Sequence, residues 1–407
     1  MTAKMKWMEI EMLDFNISSR LKLPRLVGYS LGLFAIQTFW GFTWATLPLY
    51  LKSLTRSNAV TGIILSTVGI TGLIFPILAG AVSDRISTRL GRRRPLIVAG
   101  WALTCMMVLI LMNADTLWKI LPVIFLAYAG FFFAIGPYFA LFSDIVPEAQ
   151  RSSASGVMFL VGGSGILSYL IFAARSWEVS HHRPFIWVML VIPISVTLMC
   201  ISAKETVLPG SVKHSGLLKG HVRKKNIMKF FLAFSLQWIS LWMFSSFFVI
   251  AFKAYFGLTV ESAVSFFFVL NASSVIFALP AGLLAPRLGL KKTIIGGICI
   301  MMGCYLIVPF VKAHSSLVVL MMISGLGFGT VLAASYPFFL DILPQGNTGG
   351  FTGIYQACQN GTLLIGPVLA GTMIDHFSYI SLFYGCAVAM LASMMMYLMV
   401  HDSERKI

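Results

Sequence analysis

The chain is 407 residues long, yet the side chains able to do chemistry are few and sit in unusual places. All 14 Asp and Glu residues and all 7 His residues lie in polar connections or at the ends of apolar stretches. General acid–base pairs, nucleophile–histidine pairs and metal-ligand clusters need such groups at fixed spacing in a shared pocket. No such spacing exists, so no enzyme, no cofactor and no metal site are expected. The 6 cysteines all lie in apolar stretches without a CxxC pair and read as small buried hydrophobes. Amides and indoles remain. Gln37, Trp40 and Trp44 are spaced three and four apart, which on a helix puts one amide and two indoles on a single face. Gln237, Trp238 and Trp242 repeat the theme, and Asn271, Gln356, Gln359 and Asn360 form a second group inside apolar stretches. An amide both donates and accepts hydrogen bonds, and an aromatic face covers the apolar side of a ring. This combination suits a small neutral polyol.

Of the whole chain, 58% is apolar and 11% is charged, against about 25% charged in soluble domains. Twelve apolar stretches are long enough to cross a bilayer, at 26–51, 59–82, 96–112, 120–142, 156–174, 185–202, 230–252, 262–285, 293–311, 316–340, 351–374 and 379–400. The expected organisation is a tail over 1–25, a six-helix half over 26–202, a linker over 203–229, a second half over 230–400 and a short tail over 401–407. No stretch is long enough to hold a separate enzyme domain. With twelve spans, 23 of the 30 Lys and Arg residues fall on one side, which the positive-inside rule makes the cytoplasm. Both termini are therefore expected there. The net charge of +16 marks orientation and attraction to anionic lipid headgroups, and nucleic acid is not expected as a partner.

The two halves repeat. Phe34-x-x-Gln37 matches Phe234-x-x-Gln237, and Asp144-Ile145-x-Pro147 with Gly156 matches Asp341-Ile342-x-Pro344 with Gly353, 197 residues later. Two parallel copies of six helices with a solute site between them is the arrangement of a rocking transporter. The glycine strings Gly162-Gly163-Ser164-Gly165 and Gly325-Leu326-Gly327-Phe328-Gly329 lie inside apolar spans, so they are expected to let helices pack closely and not to bind phosphate.

The densest cluster of charge is the connection after the second span, Ser83-Asp84-Arg85 followed five residues later by Gly91-Arg92-Arg93-Arg94-Pro95. This string resembles the loop between helices 2 and 3 of plant-type sucrose:proton symporters, which belong with the glycoside-pentoside-hexuronide symporters to the major facilitator superfamily. The resemblance implies an all-α membrane fold of twelve helices in two repeats. It also implies a cytoplasmic gate in which Asp84, Arg85, Gly91, Arg92 and Arg93 close against the start of helix 11, with Asp144, Glu148 and Arg151 as a related cluster after helix 4 and Asp341 as its counterpart in the second half. Helices 1, 4, 7 and 10 would line the cavity. Aligned on Gly136-Pro137 and Asp144, helix 4 departs from those symporters: Tyr128 stands at their proton-coupling carboxylate, and Phe131, Phe132 and Phe139 replace their polar residues. A phenol, with an ordinary pKa of about 10, does not give up a proton at working pH.

The expected function is a secondary transporter or facilitator, monomeric and multi-pass in the cell membrane, that moves a small neutral sugar or glycoside by alternating access. Two alternatives stay open. One is efflux of a less polar metabolite or drug, and the other is a carrier-like assembly or sensor protein that does not transport. Asp375, Arg175 and Lys253, near the outer helix ends, are the charges that could be drawn into a cavity, and proton coupling is not expected unless Asp375 or an outer-rim base has taken over.

Overall fold

The computed structural model describes residues 22–83, 88, 91–114, 116–146, 151–203, 221–342 and 348–401. Backbone amides in hydrocarbon must be bonded within their own segment, and among the described residues the apolar stretches accordingly fold as twelve helical rods. Helix α1 runs over Leu23–Gly41, passes through a π turn at Phe42–Thr46 and continues over Leu47–Leu54. The next five are α2 (Asn58–Ser83), α3 (Arg94–Met112), α4 (Leu117–Ile145), α5 (Arg151–Phe172) and α6 (Arg183–Ser202). The second half holds α7 (His221–Phe256), α8 (Val260–Leu288), α9 (Leu290–Ile307) and α10 (His314–Ile342). Helix α11 covers Thr348–Gly361, tightens into a 3-10 turn at Thr362–Leu364 and resumes over Gly366–His376, and α12 is Tyr379–Leu398.

Local signals place several of the ends. Pro24, Pro95, Pro184 and Pro367 occupy first turns, where a missing N–H costs no bond. Thr259 caps α8 by accepting from the Ser262 N–H at 3.2 Å, and Gly289, at φ +94°, ends it in a conformation that a side chain would strain. Ten of the rods are long and apolar enough to span a membrane unbroken. The other two, α1 and α11, are the interrupted ones, whose segments are too short or too polar to qualify alone. Helix α7 starts at His221, inside the stretch expected to be linker, because His221 to Lys229 contains no helix breaker and extends the span at one end.

Packing repeats as the sequence does. In the first half α1 lies against α5 and α6, and α4 against α2 and α3; in the second, α7 lies against α11 and α12, and α10 against α8 and α9. The halves meet along two equivalent seams, α2 with α11 and α5 with α8. Both glycine strings serve close packing, as expected: a Cβ at Gly165 would lie 2.3 Å from the Phe34 carbonyl oxygen of α1, and one at Gly329 2.3 Å from the Ser274 carbonyl oxygen of α8.

Candidate functional site

The helix ends that carry the α1–α2, α5–α6 and α7–α8 connections are called outer here, and those that carry the α2–α3 and α4–α5 connections inner. Midway between them, α1 and α7 meet through indoles. Trp40 and Trp44 stack with ring centroids 5.6 Å apart, and Trp242 of α7 lies over both, 6.0 Å from Trp40 and 5.2 Å from Trp44. Trp238 follows 5.0 Å from Trp242. Trp242 is fixed a second way, since its Nε1–H donates to the Gln359 carbonyl at 3.1 Å, close to the break in α11. Trp44 lies in the π turn of α1, whose Thr46 hydroxyl is 2.5 Å from the Tyr169 hydroxyl of α5. Interruptions of this kind gather at functional sites, and here two of them hold one aromatic stack.

Helix α4 supplies an aromatic wall. Phe131 meets Trp40 edge-on at 5.1 Å and Phe132 lies 6.1 Å from it, while Tyr128 is fully buried beside Thr43. The Tyr128 and Thr43 hydroxyls face each other without closing a bond of good geometry.

The two matching amides differ in their surroundings. Gln37 lies one turn inward of Trp40 on the same face of α1, half-buried and without a hydrogen-bond partner among the described residues. Gln237 is buried and turned toward α12, where its Oε1 accepts from the Tyr397 hydroxyl at 3.2 Å and its Nε2 finds no acceptor. The repeat thus matches their positions in sequence but not their partners. Asn271 donates to the Phe267 carbonyl of its own helix at 2.8 Å. Asn360 lies in the α2–α11 seam, where its Cβ would be 3.3 Å from a Cβ at Gly72; Gln359 is half-buried, and Gln356 is exposed one turn inward of Asn360.

Of the expected gate residues, Arg92, Arg93 and Asp144 come together: Arg93 Nε donates to Asp144 Oδ2 at 2.5 Å and its Nη1 to the Ser83 hydroxyl at 3.2 Å, with Arg92 3.6 Å from the same carboxylate. Gly91, at φ +105°, turns the chain into this cluster. The cluster ties the α2–α3 connection to α4 within one half. Asp84, Arg85 and Glu148 lie outside the described residues, Arg151 is the first residue of α5, and Asp341 is exposed near the end of α10.

Polar contacts between the halves gather at the outer end. Asp375 of α11 accepts from Ser57, Asn58 and Ala59 at the start of α2. Arg175 pairs with Glu261, while Glu178 accepts from Lys253 and from the Val260 N–H at the start of α8. Sequence reasoning had Asp375, Arg175 and Lys253 near the outer ends but missed their partners. One cue was available for Asp375: an acid in the last turn of a helix is opposed by the helix dipole and is better placed facing another group. At the inner end, polar contacts between described residues stay within a half, as with Arg93 and Asp144 or Lys291 and the carbonyls of Leu398 and Val400. The α2–α11 seam follows the same gradient. α2 and α11 pack from Asn58 and Gly371 down to Gly72 and Asn360, and one turn further inward Gln356 is exposed and Ile77 is 72% exposed. Among the described residues the contacts that join the halves thus lie at the outer end, with the tryptophan stack inward of them.

The sequence pattern of the Major Facilitator Superfamily matches residues 29–275 and 230–407. An uncharacterized MFS-type transporter, YttB, of Bacillus subtilis (strain 168) is 33% identical over 113 residues, 28% of each chain. Monocarboxylate transporter 2 of Homo sapiens is 28% identical over 91 residues, 22% of this chain and 19% of that one. A sucrose transport protein, SUT1, of Oryza sativa subsp. japonica is 30% identical over 91 residues, 22% of this chain and 17% of its own length. Each of these matches spans less than a third of the relative, so they bear on kinship and not on solute. Among solved structures, a variant of the nucleoside transporter NupG superposes with a TM-score of 0.75 at 15% identity, covering 93% of this chain and all of that one. A bacterial homolog of the human lysosomal transporter Spinster, inward-facing and unoccupied, gives 0.68 at 14% identity over 93% and 96% of the two chains. With twelve helices in two packed repeats and a family match along nearly its whole length, the chain belongs to the Major Facilitator Superfamily and is a multi-pass membrane protein.

Proposed function

We propose that this protein carries a small neutral solute, a sugar or more particularly a glycoside, across the cell membrane by alternating access and without proton coupling. The observation that carries this reading is the stack of Trp40, Trp44 and Trp242, shared between the halves at the level where they part, with the free amide of Gln37 one turn inward. A glycoside has a hydroxylated side for the amide and an apolar side for indole and phenyl faces. Charge enters nowhere at this depth. The inner ends face the cytoplasm in this reading, because the basic connections lie there and meet anionic headgroups, and the monomer is the working unit. Uptake into proteoliposomes, across a panel of glycosides, free sugars and lipophilic amines, tests it: saturable glycoside flux supports the proposal, and saturable flux of amines alone rejects it.

A second reading, efflux of a less polar metabolite, draws on two observations. Gln237 is turned toward Tyr397 instead of toward Gln37, and α4 offers Phe131 and Phe132 where a sugar site would place polar groups. The amine arm of the same panel reads it out.

A further inference from the structure

Helix α11 ends on a carboxylate that reaches across the boundary between the halves. Asp375 Oδ2 accepts from the Ser57 hydroxyl at 2.7 Å and from the Ala59 N–H at 2.8 Å; Oδ1 accepts from the Asn58 N–H at 2.9 Å and from Asn58 Nδ2 at 2.6 Å. Two of these donors are open backbone amides at the start of α2, where the helix carries its partial positive charge, so this is a strong site for a carboxylate. Helix α2 also has a cap of its own, since the Ser57 hydroxyl accepts from the Val60 N–H at 3.2 Å. The start of α2 therefore does not depend on Asp375 to form.

Behind the carboxylate the helices are in backbone contact. A Cβ at Gly371 would lie 2.2 Å from the Asn58 carbonyl oxygen, and one at Gly62 2.2 Å from the Pro367 carbonyl oxygen. Lys52, Tyr379 and, next in the chain, His376 are titratable groups nearby; the His376 ring bonds to the Thr372 carbonyl of its own helix, and among the described residues none of the three forms a salt bridge with Asp375. These bonds join one half of the molecule to the other, and rocking the halves to open the outer side must break all of them.

We propose that Asp375 is an outer gate residue, whose carboxylate caps α2 only when the outer side is closed and thereby sets the ratio of inward-open to outward-open molecules. The proposal rests on the reading of the chain as an alternating-access carrier, and it adds a partner for the inner-gate residues expected from the sequence. Spin labels on the full-length protein test it, with one pair at Asn113 and Lys312 on the outer connections and one at Thr88 and Lys292 on the inner side. In the parent protein the outer pair gives one dominant distance, that of the closed outer side. Asp375→Asn keeps the shape and removes the charge, so it should raise the long outer-distance population roughly tenfold and shorten the inner distance; Asp375→Glu, which keeps the charge, should restore much of the closed population. Unchanged distances in both Asp375→Asn and Asp375→Ala, with melting temperatures near that of the parent, overturn the assignment. The distances are read without solute, so absence of flux for every solute in the panel would count against the transport reading and leave this test intact.

Discussion

Trp242 satisfies three demands with one side chain. Its ring covers Trp40 and Trp44 across the boundary between the halves, and its N–H binds the carbonyl of Gln359. Trp242→Phe keeps a ring but removes this bond and leaves the Gln359 carbonyl to the Thr362 hydroxyl, a loss of about 0.5 to 1.5 kcal/mol from the closed arrangement. The expected result is weaker solute binding and faster exchange with the outer solution, read by equilibrium binding and by leak of preloaded solute. Gln37 and Gln237 divide differently. Gln37→Ala should weaken solute binding by about 1 to 3 kcal/mol, whereas Gln237→Ala should leave affinity alone and lower the melting temperature, because Tyr397 loses its acceptor. Equal losses of affinity in the two variants would contradict the geometry. The sequence makes the two glutamines look equivalent because spacing within α7 reports a helix face without naming its neighbour, and Tyr397 lies 160 residues away. The indole faces were legible, since spacings of three and four suffice to put Trp40 and Trp44 together. Asp375 was legible as an outer acid and no further, for its partners at the start of α2 lie more than 300 residues away in the chain.

At the scale of elements, the seam of α2 with α11 depends on glycine at Gly62 and Gly371, where the opposing carbonyl oxygens leave no room for a side chain. Gly62→Val should wedge the outer ends apart and raise the long outer-distance population in the same spin-label pair; a distribution like that of the parent would show that the seam yields elsewhere. The Arg93–Asp144 cluster acts within one half. Asp144→Ala removes this carboxylate from the buried Arg93, and a cost of about 1 to 3 kcal/mol in stability is expected, less than for a fully buried pair because Asp144 is partly exposed. Thermal unfolding should shift downward while the outer distances stay in place. All twelve rods were readable from hydropathy, but the breaks at Phe42–Thr46 and Thr362–Leu364 were not. Apolar length says that a segment spans, and the turn geometry inside it answers to tertiary contacts such as Thr46 with Tyr169.

For the molecule as a whole, two acids that bridge the halves at the outer end, Asp375 and Glu178, are held in the charged form at working pH. Burial pushes the Asp375 carboxyl up, but hydrogen bonds from the Ala59 and Asn58 N–H groups and from the Ser57 and Asn58 side chains outweigh it and bring the group down to about 2. A depressed carboxylate stabilises the closed outer side above its ordinary value near 4, and that contribution is lost as pH falls through about 2. When the outer side opens, the bonds are gone and the group returns toward about 4, still charged at neutral pH. Glu178 behaves alike: burial raises it, and Lys253 with the Val260 N–H holds it below the usual carboxylate range. Neither acid can gain and lose a proton within the cycle, and the Asp375-dependent part of the outer distances should be flat from pH 5 to 8.

Solute accumulation in proteoliposomes under an imposed pH gradient, with the best-transported glycoside, tests the uncoupled neutral-solute carrier most directly. Flux should follow the solute gradient alone and stop at equal concentrations inside and out, whatever the sign of the pH step. Accumulation above equilibrium that collapses with a protonophore would contradict it.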